Sequence, residues 1–485
     1  MTVPGNVSPA LARAGALASF VVSPSASTAA ENCAIAIIGA GFSGTMVAIH
    51  LRRLLPPEQK IYLIERSGDF ARGLAYADTG AAHLLNVRVA NMSAFPGDPG
   101  HFERWVEQHA AAWPGEIHAT PAGCFATRRL YGAYLQATLQ EEIASSGGTV
   151  RLLADDVQEL TRTAEGWRLN GQSGRQVLAQ GVVLATGGLP AERPCDGVEF
   201  RDPWAPAALA GLDPALPVLI IGTGLTMVDL VLALQAQGFA GRIIALSRRG
   251  LVPHPHEAIE RSWPAAAFSP AECGTARGLL RAVRAQARAA AAQGVGWRAV
   301  IDSLRPITAT LWEGLPAPER ARFLRHLRPY WDIHRHRIAP PAAAIFGWLR
   351  ASGALTILRA RVREVRREAG RAIVSIDAAT GGSQNITAQR VIYATGLQGL
   401  RPGEGLVAAL LAGGQARLDR LELGLDVTPS LNVIDGQGRA ETHLWALGPI
   451  VRGVFWECLA VPDIRQQAGR LGGEIAAALV GAAGG

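Results

Sequence analysis

Cysteine is scarce and scattered. Cys33, Cys124, Cys195, Cys273 and Cys458 are odd in number and form no C-x-x-C pair. That argues against a disulfide framework and against zinc, and it suits a reducing, cytoplasmic compartment. Lysine is nearly missing: Lys60 is the only one, so the net charge of +7 rests on arginine. The arginines are dispersed along the chain, without the basic stripe and interleaved aromatics that nucleic-acid binding requires, and no nucleic-acid partner is expected. A basic balance is compatible with phosphate-bearing cofactors and acidic substrates. Apolar runs stay short of the ~18 residues of a membrane span, so none is expected. Residues 1–32 are rich in Ala, Ser and Pro and lack periodicity. Arg13 and the apolar patch from Leu17 to Val22 are too short a match to a signal peptide. This segment reads as a disordered extension, or as a start codon placed too early.

What is present is glycine in a particular order. A chain of 485 residues allows roughly two to four domains at ~150 residues each. The apolar run Ile35 to Ile38 leads into Gly39-Ala-Gly41-Phe42-Ser43-Gly44 and a helical pattern through Leu55. A second apolar run, Ile61 to Ile64, ends at Glu65 and Arg66. Strand, glycine turn, helix, strand and acid is the opening of a dinucleotide-binding unit. Gly39 serves the sharp turn, Gly41 the approach of a pyrophosphate, and Gly44 the close packing of helix on strand. The pyrophosphate would rest on the helix N-terminus, and Glu65 would accept hydrogen bonds from an adenosine ribose. The missing dithiol excludes one class of flavoenzyme, the disulfide reductases. A further strand, Val182 to Leu184, ends in Ala185-Thr186-Gly187 and returns beside this unit.

A second signal comes after a Pro-rich linker. Val218 to Ile221 runs into Gly222-Thr223-Gly224-Leu225-Thr226-Met227, with Met227 where a third glycine would stand, so the helix must sit farther from the strand. The next strand ends in Ser247-Arg248-Arg249. Two guanidiniums and a hydroxyl suit a ribose 2′-phosphate, since Arg makes bidentate bonds to phosphate; the alternative is a solvated turn. The first site therefore reads as FAD and the second as NADPH. Two such units in one chain imply electron traffic from nicotinamide to flavin.

Helical patterns are expected at 101–112, 128–145 and 462–479, and a mostly helical, Arg- and Ala-rich stretch at 264–350. His334 and His336, two apart, point to different helix faces, which disfavours a metal site. His334 either touches nicotinamide phosphate or substrate, or is a polar helix end. Strands are expected at 149–153, 157–161, 167–169, 355–358, 362–365, 373–376, 386–393 and 431–434. The strand at 386–393 ends in Ala394-Thr395-Gly396, an echo of Ala185-Thr186-Gly187. The expected architecture is α/β: two Rossmann-like domains, with an FAD-binding domain in two parts (33–202 and 386–482) around an NADP-binding domain (215–385) that carries a helical insertion (264–350).

His83-Leu-Leu-Asn86, Met92-Ser-x-Phe95-Pro96, Arg128-Arg-Leu-Tyr-Gly132, Trp331-Asp-x-His-Arg-His336 and Arg452-Gly453, together with the glycine motifs, resemble the bacterial YdhS-like FAD/NAD(P)-binding family over about residues 33 to 480. More distantly the chain is similar to flavin-containing monooxygenases and ornithine N-hydroxylases. It departs from them in lacking the monooxygenases' central fingerprint and in having Gly448-Pro449 where Gly-Asp is common. The resemblance implies that Met92 and Gly448 lie at the flavin and that the Asn86 amide supports a flavin C4a-hydroperoxide. It also implies an NADPH-dependent monooxygenase that uses O2 to hydroxylate nitrogen, sulfur or ring carbon of a small molecule, urate-like heterocycles included. The alternatives are an NADPH-dependent reductase or dehydrogenase without oxygen insertion, and a non-enzymatic FAD-binding redox sensor. Substrate and oligomeric state stay open.

Overall fold

The computed structural model describes residues 30–77, 80–188, 197–379, 381–396, 403 and 405–482; most of the expected N-terminal extension, and Cys195, lie outside them. Strand β1 (Glu31–Ile38) is buried from Cys33 onward. Its unbroken apolar run fits a strand covered on both faces, as in parallel sheets. Glu31 and Asn32, assigned above to the extension, already pair with Val177 and Leu178. Helix α1 (Phe42–Leu54) crosses back to β2 (Ile61–Glu65), which runs parallel to β1 with Ile38 opposite Ile64. Next come α2 (His101–His109), a hairpin of β3 (Ile117–Thr120) and β4 (Gly123–Ala126), and α3 (Arg128–Ala144), capped by the Thr127 hydroxyl. The hairpin was not expected from the sequence: its four-residue strands carry too little alternation to register.

Strands β5 (Val150–Ala154), β6 (Val157–Thr163), β7 (Gly166–Gly171) and β8 (Gln176–Leu184) come next. The first half of β8 pairs antiparallel with β7, and its length runs parallel beside β1. The C-terminal strands β16 (Asn432–Ile434) and β17 (Ala440–Ala446) complete this sheet, in the order β16-β17-β8-β1-β2-β5. Helix α13 (Val461–Ala482) packs against α1, where a Cβ at Gly472 would lie 2.8 Å from His50 Cβ and one at Gly469 3.1 Å from Pro96.

The second sheet is ordered β14-β13-β12-β11-β10-β15-β9. It contains β9 (Glu199–Phe200), β10 (Val218–Ile221), β11 (Ile243–Ser247), β12 (Leu355–Glu368), β13 (Arg371–Ala378), β14 (Ser383–Ala388) and β15 (Arg390–Tyr393), with α4 (Leu225–Ala236) between β10 and β11. Two readings of the sequence change here. The stretches 355–358 and 362–365 are one 14-residue strand with a bulge between Val362 and Glu364. The stretch 386–393 is two strands, and the second pairs with β10 in the middle of this sheet. Residues 390–393 therefore complete the second domain, although the sequence reading gave them to the first. The stretch Ile386 to Tyr393 mixes apolar residues with Thr387, Gln389 and Arg390, and nothing in that mixture shows that the chain passes from an antiparallel edge to a parallel centre.

Between β11 and β12 lie α5 (Pro270–Cys273), α6 (Ala276–Ala292), α7 (Trp297–Ser303), α8 (Thr308–Gly314), α9 (Ala317–His326), α10 (Arg328–Arg335) and α11 (Pro340–Ala351). Helix α12 (Leu406–Ala412) lies ahead of β16. Among the described residues no helix is long and apolar enough to cross a membrane.

Candidate active site at two glycine turns

The two glycine turns are built alike. Gly39 N–H donates to Ile64 O at 2.8 Å, and Gly222 N–H to Leu246 O at 2.8 Å. Each glycine takes a positive φ, 98° and 120°, which an L side chain resists. A Cβ at Gly39 would overlap the Ala185 carbonyl, and one at Gly222 the Ala394 carbonyl. Ala185 N–H in turn donates to Ile38 O, and Ala394 N–H to Ile221 O, both at 2.8 Å. The paired Ala-Thr-Gly segments thus close over their own glycine turns.

At the first turn, Gly41 is the N-cap of α1, with no side-chain cap and no acid in the first helical turn. Its N-terminus is free to receive an anion. A side chain at Gly44 would overlap the Gly39 carbonyl. Glu65 accepts from Ala40 N–H at 2.9 Å and from the Ser67 hydroxyl at 3.0 Å, which sets its carboxylate at the turn, while Arg66 beside it is exposed. Thr186 Oγ1 is buried and has no partner among the described residues, as has the fully buried Tyr131 hydroxyl; such atoms await a bonding group. Gly448, with φ 77°, stands so close to Ser43 that a Cβ would lie 2.5 Å from its Oγ. Phe42 is buried with its ring 6.4 Å from that of Tyr131, and Gly187 turns with φ 74°. Gly39, Gly41, Ser43, Gly44, Glu65, Thr186 and Gly448 are therefore gathered. Met92 is a core residue at the end of a 3-10 turn, 2% exposed.

At the second turn, Gly224 is the uncapped N-cap of α4, which Leu225 and Thr226 begin. Met227 fills the third position and is fully buried. Thr223 bonds Ser247 Oγ at 2.8 Å, and Ser247 Oγ accepts from Gly250 N–H at 2.9 Å. The Ser247 hydroxyl thus shapes the turn. Arg249 donates to Arg325 O at 3.1 Å and lies over the Tyr330 ring, so the helical insertion holds it; Arg248 is exposed. Thr395 and Gly396 are exposed at the rim.

Three meeting places of the two domains stand out among the described residues. Arg128 pairs with buried Asp229 of α4 at 2.6 Å, next to His83. Desolvation raises the Asp229 carboxyl above its usual range. Asn86 is half-buried, its backbone carbonyl accepting from His256 Nε2–H at 3.0 Å, while no group among the described residues bonds its side-chain amide. Burial pushes His256 down to about 4. His254 joins Trp297 and His334 in a ring cluster, and His334 Nδ1–H donates to Tyr330 O at 2.7 Å. His334 is accordingly a helix-end residue satisfied by backbone and rings. The Pro253-His254-Pro255-His256 segment, which the sequence reading passed over, is what joins Asn86 to the helical insertion; its alternation of Pro and His was the available signal.

The third meeting place is at the start of α13. Glu457 accepts from Trp331 Nε1–H at 3.0 Å and pairs with Arg335 at 3.2 Å; Arg335 and Glu457 are both nearly fully buried. Around this pair, burial pushes Asp332 and Asp463 up to about 6 and His336 down to about 4. Trp312 Nε1–H donates to Gly453 O at 3.0 Å, and its ring stacks on Trp456. The Trp-Asp-x-His-Arg-His motif thus docks the helical insertion onto the end of the first domain.

Residues 36–189 match the protein-family model described as FAD-NAD(P)-binding. The first domain is an FAD/NAD(P)-binding domain. No curated protein matches the sequence. Among solved structures, L-lysine 6-monooxygenase from Pseudomonas syringae is similar over 91% of this chain and 99% of its own, with a TM-score of 0.61 and 16% identity. Ornithine N-hydroxylase from Kutzneria sp. 744, in a complex with reduced FAD, NADP+ and L-ornithine, is similar over 92% and 99%, with a TM-score of 0.57 and 14% identity. Bacillithiol disulfide reductase from Staphylococcus aureus reaches 0.51 at 13% identity, over 92% and 99%. At such identities the likeness is one of fold: a two-dinucleotide flavoprotein architecture.

Proposed function

We propose that the protein is an FAD- and NADPH-dependent monooxygenase acting on a small molecule, a YdhS-like relative of the N-hydroxylases. FAD lies on the Gly39 turn and NADPH on the Gly222 turn. Bound there, the flavin supplies hydride acceptance from NADPH and the activation of O2. The α1 N-terminus and the Gly39 and Gly41 backbone hold the pyrophosphate, Glu65 the adenosine ribose, and Thr186 and Tyr131 supply the buried hydroxyls that lack partners. Arg248 meets the 2′-phosphate. The carrying observation for catalysis is Asn86. Its carbonyl is clamped by His256 while no described residue bonds its amide, and an amide both donates and accepts. The seam of Trp312, Trp331 and Glu457 ties the helical insertion to the first domain.

The test is rapid mixing of the NADPH-reduced protein with oxygen. The parent should reoxidise in two phases through a transient absorbing species. Asn86→Ala should be reduced as fast as the parent, reoxidise in one phase and release hydrogen peroxide. A parent that reoxidises in one phase would instead support the reductase reading, and a variant behaving like the parent would remove Asn86 from the mechanism.

A further inference from the structure

Helix α6 carries Arg277, Arg281, Arg284 and Arg288, all exposed. At about 100° per residue these four fall within a wedge of about 60°, as a straight row about 16 Å long. This corrects the sequence-level view of dispersed arginines: the helix lines them up. The opposite face of α6, with Ala276, Ala282 and Ala290, is buried against the insertion. The helix contains no acid, and none of the four guanidiniums forms an ion pair or side-chain hydrogen bond among the described residues. Like charges at i,i+3 and i,i+4 destabilise a helix, so the row is unbalanced within this chain.

We infer that this row is a docking surface for a partner protein that presents an acidic α-helix. Three observations choose that occupant. The 4-3-4 spacing of the arginines is that of a helix face, so acids at the same spacing on a second helix meet all four. The exposed residues beside the row are Ala285, Ala289, Ala291 and Ala292, small enough for two helix axes to approach closely. The face offers no aromatic ring on which a base could stack, and the one bulky apolar side chain beside the row, Leu280, is half-buried, which disfavours nucleic acid and lipid. A second copy of this chain is disfavoured too: no helix among the described residues carries acids at that spacing, α2 with Glu103 and Glu107 being a typical case.

The test uses the full-length holoprotein and two labelled helical peptides of equal composition. One carries four Glu at 4-3-4 spacing, the other four Glu spread around the helix, and binding is read by fluorescence anisotropy. The in-row peptide should bind about tenfold tighter or better, and Arg281→Glu with Arg284→Glu should abolish the preference. Both are surface positions, and circular dichroism and flavin content check the fold of the variant. Equal binding of the two peptides, or an unchanged preference in the variant, overturns the proposal. So does tighter arginine-dependent binding of phosphatidylserine vesicles or duplex DNA, which would assign the row to a membrane or to nucleic acid.

Discussion

The two glycine turns share the backbone hydrogen bonds made by the first glycine and by the returning alanine, and differ in the residues downstream. In the first, Gly44 lets α1 press on the strand, since any side chain there would overlap the Gly39 carbonyl. In the second, Met227 occupies that position and is fully buried. The first strand pair ends in an acid anchored at the turn; the second ends in a serine spent on the turn and two arginines. The first glycine of the motif is obligatory because the Ala-Thr-Gly segment lies on it. The third position excludes a side chain in the first turn and holds a buried one in the second.

The largest expected effect is at Gly41, whose Cβ position has only Gly73 Cα nearby, at 3.6 Å. Gly41→Val should leave a folded protein that no longer retains FAD, measured by flavin absorbance after gel filtration; full occupancy would move FAD away from this turn. Next come opposite operations on the third positions. Gly44→Ala overpacks and should lower stability by about 1–3 kcal/mol. Met227→Ala leaves a void and should cost about 2–5 kcal/mol. Thermal unfolding reads both, and only Gly44→Ala should also release flavin. A harmless Gly44→Ala would erase the contrast between the turns.

Arg248 and Arg249 sharpen the comparison at the strand ends. Arg248→Ala should raise KM for NADPH by roughly tenfold to a hundredfold, for one lost charge-assisted pair, with NADH turnover unchanged. Arg249→Ala should weaken both nucleotides alike, because Arg249 is tied to Arg325 and Tyr330. Equal selectivity loss in the two variants would show that the tie does not matter.

The smallest effect lies at the seams. Asp332 and Asp463, raised from 3.8 to about 6, favour the neutral carboxyl in the fold. Their contribution is full below 3.8 and lost as pH rises through 6. His256 and His336, lowered from 6.5 to about 4, contribute above 6.5 and lose it as pH falls through 4. The two sets oppose each other in one window, so the unfolding temperature should change little from pH 6.5 to 4. Asp463→Asn removes one acid and should expose a fall in that temperature toward about pH 4; a parallel fall in the parent would show that the histidines dominate.

Much of the first site was legible. Gly39, Gly41, Gly44 and Glu65 are bound to one another through local geometry, so spacing alone exposes them. Arg248 and Arg249 were legible as a pair but not as unequal, because the carbonyl that holds Arg249 comes from Arg325, 76 residues away. Asn86 was singled out by resemblance, whereas its clamp, His256, lies 170 residues distant. The passage of 386–393 between two strands was hidden because only Gln389 separates them and no turn residue marks the break.

By itself the sequence determined the α/β class, the two dinucleotide turns, the return segments Ala185-Thr186-Gly187 and Ala394-Thr395-Gly396, and the helical insertion. All of these rest on periodicity and on backbone shapes that only glycine adopts, which are properties of neighbours in the chain. Only the tertiary structure decided that β15 completes the second sheet, that Glu457 receives Arg335 and Trp331, that His83, Arg128 and Asp229 converge, and that His334 is a packed helix end. Those outcomes depend on burial and on charges brought together from distant segments, and desolvation and pairing acquire their strength only once the chain has folded.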